Sequence, residues 1–358
     1  MLVVILHTLG GSQSPNRFVR FIGHVVKGGW SGVTMFFILS GFLITGILLD
    51  SKGREGWIKN FYIRRVLRIF PLYYGALLVV LANAIATHHT ALCLSRIWVF
   101  VVYLQNTSPF ANLTSGYGST LGLSHFWSLA VEEQFYLIWP FFISRTKTLR
   151  QVKLLCVFTF LVSFCFRLIR HAYFPENGVL DEHTLMRAGE LATGGFLAVC
   201  YRDESWRKVN RWAPAVAAVS LSATIAFSFA DGSFSLRSLL FFTYGVACVT
   251  ILFACLLVLS LRAEGVVSKA MNMAWLRWVG GISFGIYVFH VLLAPVFRWV
   301  TSVIWPTASR TEDILTNALV TAVMSVSIAW LSFRYLESPF LKMRKKFSSG
   351  RAEFTVTA

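Results

Sequence analysis

An all-α, polytopic membrane bundle of about ten transmembrane helices is the fold class that the sequence predicts. Three observations carry that expectation. Apolar stretches of near-membrane length recur from end to end, charged residues are scarce, and lysines and arginines are shared unequally between alternate loops. With 56% of the 358 residues hydrophobic and 14% charged, the chain is too apolar for a soluble fold to hide its surface.

A helix needs ~20 apolar residues to cross a bilayer. Nine stretches approach that length: 33–49, 71–88, 126–143, 152–170, 185–201, 212–230, 236–260, 282–300 and 314–335. A tenth, Leu2 to Leu9, would rise only ~12 Å of a ~30 Å core, so a complete crossing there calls for residues before Met1. Ile97 to Leu104 is apolar but short and is read as a membrane-dipping or interfacial piece. The loop around 89–125 is the longest outer segment, rich in Asn, Ser, Thr and Gly, and is read as an acceptor-facing loop or lid.

If Met1 to Leu9 runs outward and both termini are cytoplasmic, 22 lysines and arginines fall in cytoplasmic loops and eight outside. The positive-inside rule then sets the orientation. The net charge of +17 is dispersed between apolar segments and makes no single basic face, which argues against nucleic-acid binding. Six cysteines, none in a C-x-x-C pair, read as packing residues, and no metal site is expected. One membrane domain over 1–346 with a short polar cytoplasmic tail over 347–358 is the predicted organisation.

The most informative stretch runs from Ser124 through His125, Trp127, Glu132, Glu133 and Tyr136 to Pro140. It places two carboxylates inside an apolar helix, where an ionised carboxylate costs several kcal/mol unless it is paired or hydrated. Such residues face a cavity, or else they form a polar knot between helices. Helical spacing sets Trp127, one of the two glutamates and Tyr136 along one side, with His125 at the outer end, a stripe able to contact a sugar and an ester.

Phe61 to Pro71 carries Arg64, Arg65 and Arg68 on a predicted cytoplasmic helix ending at the proline, with Arg64 and Arg68 on one face. Guanidinium forks suit the phosphates of a donor such as acyl-coenzyme A, although juxtamembrane arginines also serve simply as topology and lipid anchors. His7 is a candidate general base, because histidine as a residue type titrates near neutrality, and a packed histidine is the competing reading. Tyr287 and His290 stand at i, i+3 on one face of an apolar helix and indicate a lined cavity. The glycines of Gly28 to Gly32 and of Phe36 to Phe42 are read as packing residues.

Four blocks in this order resemble the acyltransferase-3 family of bacterial membrane O-acyltransferases. They are Phe36-Phe37-Ile38-Leu39-Ser40-Gly41-Phe42, the Arg64-Arg65-x-x-Arg68 run, His125-x-Trp127-Ser128-Leu129-x-Val131-Glu132-Glu133-Gln134-Phe135-Tyr136, and Ile282-Ser283-Phe284-Gly285-Ile286-Tyr287-x-x-His290. The resemblance implies a ten-helix domain of the bacterial cytoplasmic (inner) membrane with no bound cofactor. It also implies that acyl-CoA, often acetyl-CoA, is the co-substrate for esterifying hydroxyls of surface polysaccharides, lipopolysaccharide or other lipid-linked saccharides.

By the same resemblance His7 is the general base and Arg64, Arg65 and Arg68 bind the donor, while the carboxylates inside the apolar helix lead to the expectation that Glu132 or Glu133 orients the histidine or the acceptor. His125, Trp127, Tyr136, Tyr287 and His290 are candidates for substrate contact. The family's first helix carries an arginine and further apolar residues before its histidine, whereas His7 stands six positions after Met1. One subgroup has a fused extracytoplasmic hydrolase-like domain, and the chain resembles the stand-alone type. The rival readings are a transporter or flippase for a glycolipid or small anion, and a glycosyltransferase using a lipid-linked sugar.

Overall fold

The computed structural model describes residues 27–107, 123–174, 181–230, 240–306 and 310–347. His7 and the middle of the 89–125 loop lie outside them. The described residues form helices and no strand, numbered here from the first described one: α1 Ser31–Ser51, α2 Trp57–Ala86, α3 Thr90–Val101, α4 Trp127–Arg145, α5 Leu149–Tyr173, α6 Thr184–Cys200 and α7 Ser205–Ala230. After a π-helical turn at Phe241–Gly245 come α8 Val246–Ser260, α9 Val266–Met271, α10 Ala274–Gly281, α11 Ser283–Leu292, α12 Ala294–Ile304, α13 Arg310–Ser332 and α14 Ser338–Arg344.

Among the described residues six helices are long and apolar enough to cross a membrane, or seven if α10 and α11 count as one bent span. Helices α4 and α6 are 19 and 17 residues long and carry charges that dilute their hydropathy. Leu78, Leu137, Phe158, Val219 and Phe229 are exposed on the helix surfaces, as lipid-facing side chains are. The chain is therefore a multi-pass membrane protein with an all-α bundle.

Two of the expected segments differ. The arginine-bearing helix does not stop at Pro71: α2 runs unbroken through it for 30 residues, about 45 Å at 1.5 Å per residue. Proline removes one N–H, and neighbouring helices and side chains in a bundle compensate for that loss. The arginines consequently belong to the crossing helix itself. The single span expected over 282–300 is instead broken. Helix α10 meets α11 at a 60° bend, and α11 ends at Leu292 before α12 begins with a proline in its first turn. Gly280 and Gly281 precede the bend and Pro295 follows the break, which makes these the weakest points of an otherwise apolar run.

Helix α6 sits at the centre, packed against α1, α5, α4 and α8. Its contact with α1 is backbone to backbone. A Cβ on Gly41 would lie 1.8 Å from the Leu191 carbonyl oxygen, and one on Gly194 would lie 2.0 Å from that of Ile38. Helices α1 and α4 run parallel, since their contacts rise together in sequence: Phe37 with Trp127, Ser40 with Glu132, Thr45 with Trp139. At the far end Arg202 pairs with Asp50 at 2.7 Å, Lys153 with Asp203 at 2.5 Å, and Lys52 donates to the Ile143 carbonyl. That end therefore gathers the termini of α1, α4 and α6 with the start of α5, the loops that the charge distribution assigns to one side. Helix α5 opens on a capping box of Thr148 and Gln151.

Gly194→Val is expected to force α1 and α6 apart and cost at least ~1–3 kcal/mol. Gly281→Ala, whose Cβ meets open space, is expected to stay within ~0.5 kcal/mol of the parent protein. Thermal unfolding in detergent micelles checks both.

Candidate active site

Helix α4 carries the site. The Glu132 carboxylate is 5% exposed, and its Oε1 accepts from Ser40 Oγ at 2.5 Å and from the Tyr136 hydroxyl; those two hydroxyls also touch each other. A buried carboxylate needs donors, and the apolar α1 supplies one through Ser40. Ser40 belongs to a segment read from sequence as packing. Trp127 lies on the same seam, its ring 6.1 Å from that of Phe37, and the Arg187 guanidinium sits 5.3 Å over it. Of the two glutamates, Glu132 is thus the one sharing the α1-facing stripe with Trp127 and Tyr136.

Glu133 faces elsewhere. It is half-buried, its Oε1 has no hydrogen-bond partner among the described residues, and its charge reaches Tyr73, Tyr74, Tyr103 and Arg65. Of the three arginines, Arg65 and Arg68 both lie within electrostatic reach of Glu132 on α4, and Arg65 also approaches Tyr136. The Arg65 guanidinium lies 5.7 Å from the ring centroids of Phe61 and Tyr136, within electrostatic reach of both glutamates. Arg64 Nη2 and Arg65 Nε are buried without a hydrogen-bond partner among the described residues, while Arg68 is exposed. Arg344 on α14, which packs against α2, adds a further positive charge close to Arg64 and Arg65.

At the other end of the seam His125, Tyr287 and His290 come together. The rings of His125 and Tyr287 are 5.0 Å apart and those of His125 and His290 5.2 Å apart. The Tyr287 hydroxyl bonds to the His125 carbonyl and to Ser128 Oγ, and His290 Nδ1 lies 2.7 Å from the Tyr287 carbonyl. Both histidines are buried. The structure therefore brings one predicted group, His125, Tyr287 and His290, to the start of α4, and another, Arg65, Glu132 and Tyr136, further along it. Arg64 and Arg68 flank the second group, and His7 is not among the described residues.

Sequence reasoning missed a buried ion cluster behind Trp127. Glu190 bridges Arg167 at 2.9 Å and Arg187 at 3.3 Å, all three side chains at most 3% exposed, and Arg167 also donates to the Met186 carbonyl. Next to it Arg170 pairs with Asp181 at 2.8 Å, and burial lifts the Asp181 carboxyl to about 6 against the pull of Arg170 and Arg187. The signal was present, because arginines at 167 and 187 within apolar helices demand a carboxylate and Glu190 stands one turn beyond Arg187. A second missed network joins Gln134 to Asn106 at 2.9 Å and Asn106 to Thr184 at 2.9 Å, anchoring the buried turn after α3.

A multi-pass helical bundle in which α4 carries a buried carboxylate, an arginine beside it and a histidine and tyrosine group at its start suits a membrane-embedded group-transfer protein. The chain belongs to the acyltransferase domain family, whose model matches residues 1–334. It is 30% identical over 341 residues to the peptidoglycan O-acetyltransferase OatA of Listeria monocytogenes, covering 88% of this chain and 52% of that protein. It is 28% identical over 344 residues to the putative peptidoglycan O-acetyltransferase YrhL of Bacillus subtilis, covering 87% and 50%, and 25% identical over 340 residues to the O-acetyltransferase OatA of Staphylococcus aureus, covering 88% and 53%. The chain spans about half the length of these curated relatives. No solved structure matches it.

Arg167→Ala leaves Glu190 with a weakened set of partners in a dry interior. A loss of ~3–5 kcal/mol is expected, read as a lowered midpoint of denaturant unfolding in micelles.

Proposed function

We propose that this protein transfers an acyl group, acetyl in the simplest case, from cytoplasmic acyl-CoA to a hydroxyl of an envelope glycan, with peptidoglycan the acceptor to which the relatives' names point. The observation that carries the reading is the arrangement along α4. Residues 125 to 136 cover about 16 Å of helix rise and join the histidine group to Arg65 through the buried Glu132.

In this reading the donor's phosphates dock at Arg64, Arg65 and Arg68, whose guanidinium N–H groups match phosphate oxygens. The thioester extends into the bundle toward Glu132. His7, which matches the family's first-helix histidine, takes the proton from the acceptor hydroxyl as its oxygen attacks the thioester carbonyl carbon. The C–O bond forms, the C–S bond breaks, and the proton passes from His7 to the departing thiolate. Glu132, held by Ser40 and Tyr136, is a positioning residue for that histidine or for the acceptor. His125, Trp127, Tyr287 and His290 supply the ring faces and polar tips that hold a sugar.

Mass spectrometry of envelope glycans from a deletion strain and from complemented strains tests it. An acyl mass increment should vanish on deletion, return with the parent gene, and stay absent with His7→Ala. Undiminished transfer by His7→Ala overturns the role of His7, and unchanged glycan esters on deletion overturn acyl transfer itself. For the donor site, Arg65→Ala is expected to raise KM for acyl-CoA roughly 10- to 100-fold, the value of one or two charged hydrogen bonds. Initial rates in nanodiscs with varied donor measure this.

A further inference from the structure

The bend between α10 and α11 borders a partly open cavity of about 350 Å³ that is also lined by the first turns of α1 and the start of α4. Ser128, Tyr287 and His290 stand at one part of its wall, and they belong to the polar group already described. The rest is chiefly apolar, with Phe36, Leu276, Val279, Phe284 and Ile286 among the lining side chains. No Lys, Arg, Asp or Glu among the described residues lines it.

We propose that this cavity takes the hydrocarbon chain of the transferred acyl group, with the carbonyl carbon toward Ser128, Tyr287 and His290, and that the protein therefore transfers saturated acyl groups longer than acetyl. The inference rests on the acyl-transfer reading above and adds the donor class. At roughly 30 Å³ for a group the size of a water molecule, the cavity has room for on the order of ten such groups, and an acetyl methyl fills only one. Each methylene buried there should strengthen binding about fourfold.

Other occupants fit less well. The pantetheine arm carries amides that would face a wall with few hydrogen-bonding groups, and a saccharide would lose most of its hydration without repayment. A succinyl carboxylate would meet no cation on the lining. The reaction keeps its balance whatever the chain length: acceptor oxygen bonds to the acyl carbon, the carbon–sulfur bond breaks, and the acceptor proton ends on sulfur.

Two substitutions bear on the cavity in opposite directions. Gly280 lines it, and a Cβ built there meets nothing within 4 Å, so Gly280→Leu adds bulk at a position where the backbone leaves room for a side chain to start. Phe284→Ala removes bulk from the same wall. The experiment uses the full chain in nanodiscs with solubilised peptidoglycan fragments and compares kcat/KM for acetyl-, butyryl-, hexanoyl- and succinyl-CoA.

Butyryl should be transferred at least as well as acetyl, and succinyl at least tenfold less well than butyryl. The hexanoyl-to-acetyl ratio should fall tenfold or more in Gly280→Leu and rise in Phe284→Ala. Should Phe284→Ala not fold, the Gly280→Leu ratio decides alone. Transfer of acetyl only, or a ratio that does not fall in Gly280→Leu, overturns the cavity's role while acyl transfer stands. No transfer from any donor overturns both.

Discussion

A carboxylate held within an apolar bundle must be bonded by protein groups, because the surrounding hydrocarbon offers none. Glu132 meets that requirement with the hydroxyls of Ser40 and Tyr136, and in doing so it locks α4 to α1 at one register. The neighbouring residues follow from that lock. With Ser40 opposite Glu132, Trp127 falls against Phe37 and Trp139 donates to Thr45. His125, one residue pair before the helix begins, is then presented to Tyr287 and His290 on α11.

The same demand explains α6. Three buried charges on α5 and α6 satisfy one another, with Arg167 and Arg187 sharing Glu190, and the Arg187 guanidinium also caps the face of Trp127. Helix α6 can approach α1 closely enough to make this common core because Gly41 and Gly194 leave no Cβ between the backbones. Small residues at a helix contact and polar groups as its fasteners are the two means available where lipid and leucine are equally apolar. The cluster positions the tryptophan, and the tryptophan shares a seam with the carboxylate.

Much of the architecture was legible in the sequence, since length and hydropathy alone locate most crossings. What hydropathy does not report is where an apolar run breaks. The 282–300 segment is predominantly apolar, and its interruptions fall next to Gly280 and Gly281 just before it and Pro295 within it, whose cost lies in backbone conformation and not in transfer energy. Pro71 shows the reverse, a breaker tolerated inside a long helix. At the site, the types of residue were visible but their partners were not. Spacing on one helix left Glu132 and Glu133 equivalent, and only the neighbouring segments separate them, Ser40 of α1 beside Glu132 and Tyr73, Tyr74 and Tyr103 within reach of Glu133. Ser40 takes its meaning from a carboxylate 92 residues away on another helix, whereas Glu190 had its partners close by, Arg187 on its own helix and Arg167 on the preceding one.

The central claim is that the bundle joins a donor on one face of the membrane to an acceptor on the other. Proteoliposomes containing the protein, with glycan trapped inside and labelled acyl-CoA added outside, test this most directly. Label should appear as ester on the trapped glycan, and only when protein is present. Label confined to glycan that shares a compartment with the donor, or no ester at all, would contradict the account.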